Sequence, residues 1–310
     1  MTLSVSFVVT STKVKYLKII RNFALRSYKV PIIDLIETMK KLKFAIVIVI
    51  AALAFCIQQK AQQSVQQESQ QEENKEAQQE SVGSDGVEIP ASLTDRSEQI
   101  LRRKAYTASY NKELRCPNWV AWHLTAAHSD GPLTRLSNFH EDEEVPEPRA
   151  TLADYRKSGW SRGHMCPAGD NKWDKEAMYE SFALTNICPQ HSSLNSGLWN
   201  SVETDCRQWA RRFGDIYIVC GPVLMKRQHQ TIGENRVVVP EAFFKVVLCL
   251  NGEPKGFGII ARNTAGTKKK DLYYNTIDEV ERITGIDFFP ALPDDIEDRV
   301  EGAVDMKLWQ

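Results

Sequence analysis

The chain has 310 residues, 42% of them hydrophobic and 25% charged, with 39 Lys and Arg against 40 Asp and Glu for a formal net charge of −1. That length allows one large domain or two small ones, and the apolar share is enough for a real core, which excludes a chain that is disordered throughout. The near-neutral balance excludes a global electrostatic pull on nucleic acid, so any grip on phosphates would have to come from a local basic groove.

In chain order, residues 1–38 are basic and lack acids until Asp34, with Lys13, Lys15, Lys18, Arg21, Arg26 and Lys29. A mitochondrial transit segment has that character, and is the alternative reading. Met39 opens MKKLKFAIVIVIAALAFC, a charged start and a short apolar stretch of the kind that directs bacterial export, so residues 1–38 are read as an over-extended start and 39–57 as the signal. The apolar run from Phe44 to Ile57 is shorter than the roughly 20 residues of a membrane-spanning helix. Ala52-Leu53-Ala54 offers ordinary cleavage and release to the periplasm or outside. Leu53-Ala54-Phe55-Cys56 resembles a lipoprotein box, although Phe55 stands where a small residue is usual, and lipidation of Cys56 would tether the chain to a membrane. Residues 58–90 are rich in Gln, Glu and Ser, lack apolar heptad positions and read as a disordered linker. The folded domain is placed at 91–310.

Its first element reads as a helix around Ser97 to Arg103. Next, NWVAWHL from Asn118 to Leu124 mixes aromatic and aliphatic residues as a strand does, with Trp119 and Trp122 as core. HEDEEVPEPR at 140–149 reads as a solvated acidic loop.

Residues 161–207 carry the chemistry. Cutting a phosphodiester requires a base for water, a cation for the leaving oxygen and donors for the phosphate. His164 can take a proton near neutral pH, Gly163 before it would let the backbone turn sharply, and Arg162 can fork two hydrogen bonds to phosphate. A helix is expected to begin near Asn195. Glu203 and Arg207, four apart, share a face, with Asn195 about two turns earlier. An amide oxygen and a carboxylate suit a hard cation such as magnesium. A thiol hydrolase built on His164 and Cys166 is disfavoured, because residues two apart in an extended segment would not place nucleophile against base.

Excluding Cys56, six cysteines remain: Cys116, Cys166, Cys188, Cys206, Cys220 and Cys249. No pair has C-x-x-C spacing, which argues against a zinc cluster, and an even set in an exported chain suggests disulfides. The expected pair is Cys220 with Cys249, both in strand-like runs. Beyond the catalytic segment, Asp215 to Leu224, Val237 to Leu250 and Gly256 to Arg262 read as strands of a mostly antiparallel sheet. Lys268, Lys269 and Lys270 read as an exposed loop. Thr276 caps a short helix to Thr284, which Gly285 stops.

SGWSRGHMCPAGD, FALTNICPQ and LNSGLWNSVETDCRQWA resemble the signature of the DNA/RNA non-specific endonucleases, the ββα-metal or His-Me finger group with endonuclease G-like members. NWVAWHLT, IYIVCGPVL, VPEAFFKVVL and TIDEVERITGIDFFPALPDDIE extend the resemblance over roughly residues 100–305. It implies an α+β fold, with a central mostly antiparallel sheet flanked by helices, and hydrolysis of DNA and RNA to 5′-phosphate products. It makes His164 the general base, Asn195 the direct Mg2+ ligand, Glu203 the holder of metal-bound water, and Arg162, Asn186 and Arg207 further catalytic residues. Mn2+ or another divalent cation could replace Mg2+. The family pattern has Asp before Arg-Gly-His where this chain has Ser161, and a neutral serine would make a weaker contact there. A catalytically impaired, nucleic-acid-binding surface lipoprotein with the same fold is the alternative.

Overall fold

The computed structural model describes residue 39, residues 86–265 and residues 269–310. The readings made for residues 1–38, for the export signal and Cys56, and for most of the 58–90 linker lie outside the described residues. Residues 86–90 do not behave as linker, since Val87 is fully buried and joins the apolar core. No helix among the described residues is long and apolar enough to cross a membrane.

The described strands are β1 (Gln99–Arg102), β2 (Thr107–Asn111), β3 (Cys116–Thr125), β4 (Ser161–His164), β5 (Ile187–Gln190), β6 (Asp215–Val223), β7 (Thr231–Ile232), β8 (Val237–Val238), β9 (Ala242–Cys249), β10 (Lys255–Arg262) and β11 (Tyr274–Asn275). Seven of them form one sheet in the order β1-β2-β3-β6-β9-β10-β11, every neighbour antiparallel. The helices are α1 (Leu152–Tyr155), α2 (Lys175–Glu180), α3 (Ser192–Leu194), α4 (Asn200–Phe213), α5 (Ile277–Thr284) and α6 (Asp294–Glu301).

The period-two alternation of strands sorts the central sheet into two faces. Val120, Trp122 and Leu124 of β3, Ile216, Ile218 and Cys220 of β6, and Phe243 and Val247 of β9 point to one side, where they meet Leu198, Trp199, Val202 and Cys206. Trp119, Ala121, Tyr217, Val219, Phe244 and Val246 point to the other, where Ile277 and Val280 of α5 and Val300 of α6 cover them. The result is three layers, with the sheet buried on both faces and a helical layer on each.

The segment 97–103 corrects the helical expectation. Leu101 is buried and Ile100 exposed, a period of two, and Arg103 N donates to Tyr106 O at 2.8 Å to close a tight turn into β2. The run from Val237 to Leu250 is two strands, because Pro240 between them has no N–H to give to a ladder. The acidic loop is not wholly solvated. Asp142 is buried, bonded by Arg103 at 2.7 Å and by the Thr185 hydroxyl at 2.6 Å. Lys270 pairs with Asp205 of α4, whereas Lys269 is exposed. Helix α5 matches its reading, with Glu279 N donating to Thr276 Oγ1 at 3.2 Å and Gly285 in the left-handed region at φ 67°.

Candidate active site

The site is built on a small hairpin and a long helix. Strands β4 and β5 pair antiparallel with Gly163 opposite Cys188 and His164 opposite Ile187. Gly163 lies within this strand and makes no turn. It is glycine because a Cβ there would come within 2.6 Å of Gln190 Cβ and 2.8 Å of Gln190 Cδ. The reason for that residue is therefore close packing rather than a bend.

Asn186 fixes the far end of β4. Its Oδ1 accepts from Cys166 N at 2.9 Å, while its Nδ2 donates to Cys166 O and Ser181 O, both at 2.8 Å. Met165 N also donates to Asn186 O at 2.9 Å. The side chain is fully buried and its amide is spent on backbone, so it positions the segment after His164 and does not reach outward.

His164 is 6% exposed and sits between aromatic rings, 5.2 Å from Phe139 and 5.0 Å from Phe182 between centroids. Its Nε2 has no hydrogen-bond partner. Burial pushes its pKa down to about 3, with the charges of Arg135 and Arg162 acting the same way, so the ring is neutral with a lone pair to offer. Arg162 is exposed, its guanidinium 4.2 Å from the centre of the Phe139 ring.

The helical half starts three residues earlier than expected, at Ser192, and is not a continuous α-helix. Residues Asn195–Trp199 form a wide π-type turn with Gly197 at φ −100° and ψ −107° before α4 begins at Asn200. Eight α-helical steps, about 800°, would set Glu203 roughly 80° away from Asn195. A wide turn that absorbs one residue would leave seven steps, about 700°, and roughly 20° between the two, and Gly197, outside helical φ/ψ, puts a kink in that path. Asn263 anchors the entry to this helix: its Oδ1 accepts from His191 N at 2.7 Å, and its Nδ2 donates to Pro189 O at 3.0 Å and Pro240 O at 2.9 Å.

Glu203 is partly buried, and burial lifts its pKa to about 7 against the opposing charges of Lys245, Arg207 and Arg135. Arg207 is held by its neighbours, donating through Nη1 to Asp170 Oδ1 at 2.8 Å and through Nη2 to Thr204 Oγ1 at 3.2 Å. Gly169 makes room for it, since a Cβ there would lie 2.8 Å from Nη1. Asp170 is buried, and its second oxygen accepts from Trp122 Nε1 at 3.2 Å.

Three charged residues of this site had no role in the sequence reading. Asp170 orients Arg207. Lys245 is fully buried on the site side of β9, its Nζ 4.8 Å from the Trp122 ring centre and 5.2 Å from that of Trp199, a cation–π setting beneath Glu203. Its signal was a lone lysine inside the apolar run VPEAFFKVVL. Arg135, from the loop between β3 and α1, lies 5.9 Å from the Phe182 ring centre, and its charge bears on both His164 and Glu203. Nothing in its sequence surroundings marked it.

Cys166 is fully buried, its Sγ accepts from Asn171 Nδ2 at 3.5 Å, and burial raises its pKa, so it is a protonated and enclosed thiol rather than a nucleophile. All six cysteines among the described residues are free. This corrects the expected Cys220–Cys249 disulfide. Cys220 lies opposite Lys245, four residues along β9 from Cys249, a separation of about 13 Å at the usual strand rise and far beyond disulfide reach. The disulfide support for export goes with it.

The sequence model for the DNA/RNA non-specific endonuclease family matches residues 83–295. The chain is 38% identical over 205 residues to "Nuclease EXOG, mitochondrial" of Danio rerio, covering 60% of each. It is 34% identical over 213 residues to "Nuclease C1" of Cunninghamella echinulata var. echinulata, covering 63% of this chain and 84% of that one. "Endonuclease G, mitochondrial" of Bos taurus is 33% identical over 209 residues, at 63% and 70% coverage. The match spans only 56–60% of the length of the EXOG relatives. Among solved structures, the crystal structure of the EndoG/EndoGI complex, described as showing the mechanism of EndoG inhibition, aligns with a TM-score of 0.59 and 26% identity over 63% of this chain and 87% of that one. With hairpin and helix set against a central antiparallel sheet and the family match covering most of its length, the chain belongs to the DNA/RNA non-specific endonuclease family, with its ββα-metal fold.

Proposed function

We propose that the protein is a divalent-metal-dependent endonuclease that hydrolyses phosphodiester bonds of DNA and RNA with little sequence preference and leaves 5′-phosphate ends. The observation that carries this reading is His164 on β4, buried between Phe139 and Phe182 with an unpartnered Nε2, in a chain of the DNA/RNA non-specific endonuclease family. His164, neutral and with an unpartnered nitrogen, accepts the proton of the attacking water. Arg162 and Arg135 hold the phosphate from the open side. Arg207, fixed by Asp170, offsets charge that builds in the transition state. Asn186 acts through the backbone on the placement of His164.

The donor chemistry fits a hard cation: Asn195 offers an amide oxygen and Glu203 a carboxylate. When bound there, Mg2+ would neutralise charge on the leaving 3′ oxygen. Glu203, drawn toward its protonated form by burial, has Lys245 beneath it to favour the carboxylate. Ser161 opens β4, three residues before His164, where the family pattern has Asp. The reading of residues 39–57 supports export, while relatives named mitochondrial favour the alternative compartment.

The test is cleavage of supercoiled plasmid and of single-stranded RNA by the full chain, in Mg2+ and in EDTA. Both substrates should be cut only with Mg2+. Asn195→Ala should lose that activity, and His164→Ala should lose about 10²–10⁴-fold in rate while still binding DNA. A folded wild-type protein that binds plasmid and never cuts it would overturn the reading in favour of a nucleic-acid-binding role.

A further inference from the structure

The face of the sheet remote from the active site carries a second set of oxygen donors. Asp278 and Glu281, three residues apart on α5, and Glu301, the last residue of α6, place one carboxylate oxygen each so that all lie within 4.8 Å of one another. Ligands on one calcium ion, at about 2.3–2.6 Å from it, can stand up to about 5 Å apart, so the three oxygens fit around a single centre. Acidic residues often gather on a surface without a ligand. Here a separate feature points inward: Glu301 is only 7% exposed, and its buried Oε1 has no hydrogen-bond partner. A buried carboxylate oxygen without a donor is costly, and a cation would remove that cost.

Among the described residues, the neighbouring arginines are engaged elsewhere. Arg282 is taken by Glu279 at 2.7 and 2.8 Å, and Arg96 by Asp95 at 2.8 Å and by Thr284 O at 3.0 Å. Arg299 is exposed and, two residues before Glu301, projects from another side of α6. Burial above all, and then the charges of Glu281, Glu297, Asp278 and Asp287, lift the pKa of Glu301 to about 8. Asp278 Oδ2 also leans over the C-terminal end of α6, 3.7 Å from where a Cβ on Gly302 would be, and that end carries the negative pole of the helix. One side is open, because Asp278 is exposed and Glu281 partly so, which leaves room for water to complete a shell.

We propose that Asp278, Glu281 and Glu301 form a structural Ca2+ site that clamps α5 to α6, distinct from the catalytic metal position. Glu281 can serve with one oxygen while the other accepts from Phe288 N at 2.7 Å. Three carboxylates borne on two helices suit the larger ion, which tolerates irregular geometry, better than Mg2+, which demands a near-octahedral shell and keeps most of its waters. The clamp would hold the far layer onto β10, where Gly256 and Gly258 let Ile277 and Val280 press against the strand.

The experiment uses the full chain carrying Asn195→Ala, which removes the catalytic metal contact, melted in EDTA and then in CaCl2 or MgCl2. Calcium at a hundred times its Kd should raise Tm by about 5–10 °C, with Mg2+ much weaker. Adding Asp278→Asn or Glu301→Gln should abolish the rise, and Glu301→Gln should melt above its parent in EDTA because like-charge repulsion has been relieved. No calcium effect in the Asn195→Ala protein would overturn the proposal, as would an unchanged rise in both added variants. An equal response to Mg2+ would overturn the assignment to calcium.

Discussion

Asn186 shows how a single side chain can matter to a reaction without touching it. Three backbone groups depend on its amide, the N–H and C=O of Cys166 and the C=O of Ser181. Asn186→Ala would leave them buried and unpaired, at roughly 2–5 kcal/mol, or a fall in Tm of about 5–15 °C, with a lower kcat because His164 loses its support. A direct contact to the phosphate would give the opposite pattern, lost activity at an unchanged Tm, and thermal melts beside plasmid kinetics separate the two. The residues that the sequence singled out, His164, Asn195, Glu203 and Arg207, are those whose chemistry is rare at their spacing, and the structure sets the first on β4 and the last two on α4. Arg135 was hidden because an arginine in a loop has no pattern, and its closeness to His164 is created only by the tertiary path of residues 131–139. The reason for Gly163 was also hidden, since Gln190, which crowds it, is remote in sequence and is brought near only by strand pairing.

At the scale of elements, strands with long apolar runs and helices with strong caps could be read directly. β3, β6, β10 and α5 lie close to where alternation, Thr276 and Gly285 put them. Short elements were misread for a physical reason. β1 has four residues, too few for a period to show, and its strand character comes from pairing with β2. The wide turn at Asn195–Trp199 was equally silent, because nothing in NSGLW forbids an ordinary helix apart from Gly197. Its geometry makes a demand that can be checked. Gly197→Ala, which puts a stronger helix former in the turn, would favour ordinary α-geometry at unchanged length and set Asn195 about 80° away from Glu203. The far-UV circular dichroism should be retained while metal-dependent cleavage falls to the level of Asn195→Ala. Full activity in the Gly197→Ala protein would mean that the alignment of the two side chains is not what the wide turn provides.

Across the whole molecule, the burial of His164 links the site to acid stability. Its folded pKa of about 3 lies below the 6.5 of a free histidine, so the unfolded chain takes up the proton first as pH falls. The contribution of His164 to stability is therefore complete above pH 6.5 and is lost as pH drops toward 3. The loss can reach about 1.4 kcal/mol per pH unit within that window. His164→Gln should show a shallower decline of Tm between pH 6.5 and 4 than the wild type, and parallel curves would show that the ring is not held neutral in the fold.

The sheet that divides the molecule also divides its sulfur. All six described thiols, Cys116, Cys166, Cys188, Cys206, Cys220 and Cys249, belong to the cluster on the catalytic side, and the cluster beneath α5 and α6 contains none. The fold thus carries a chemical label on one of its two interfaces. A reagent that counts reactive sulfur reports the parting of the catalytic layer from the sheet and is blind to the loosening of the opposite one, so the two separations can be timed independently in the unaltered chain.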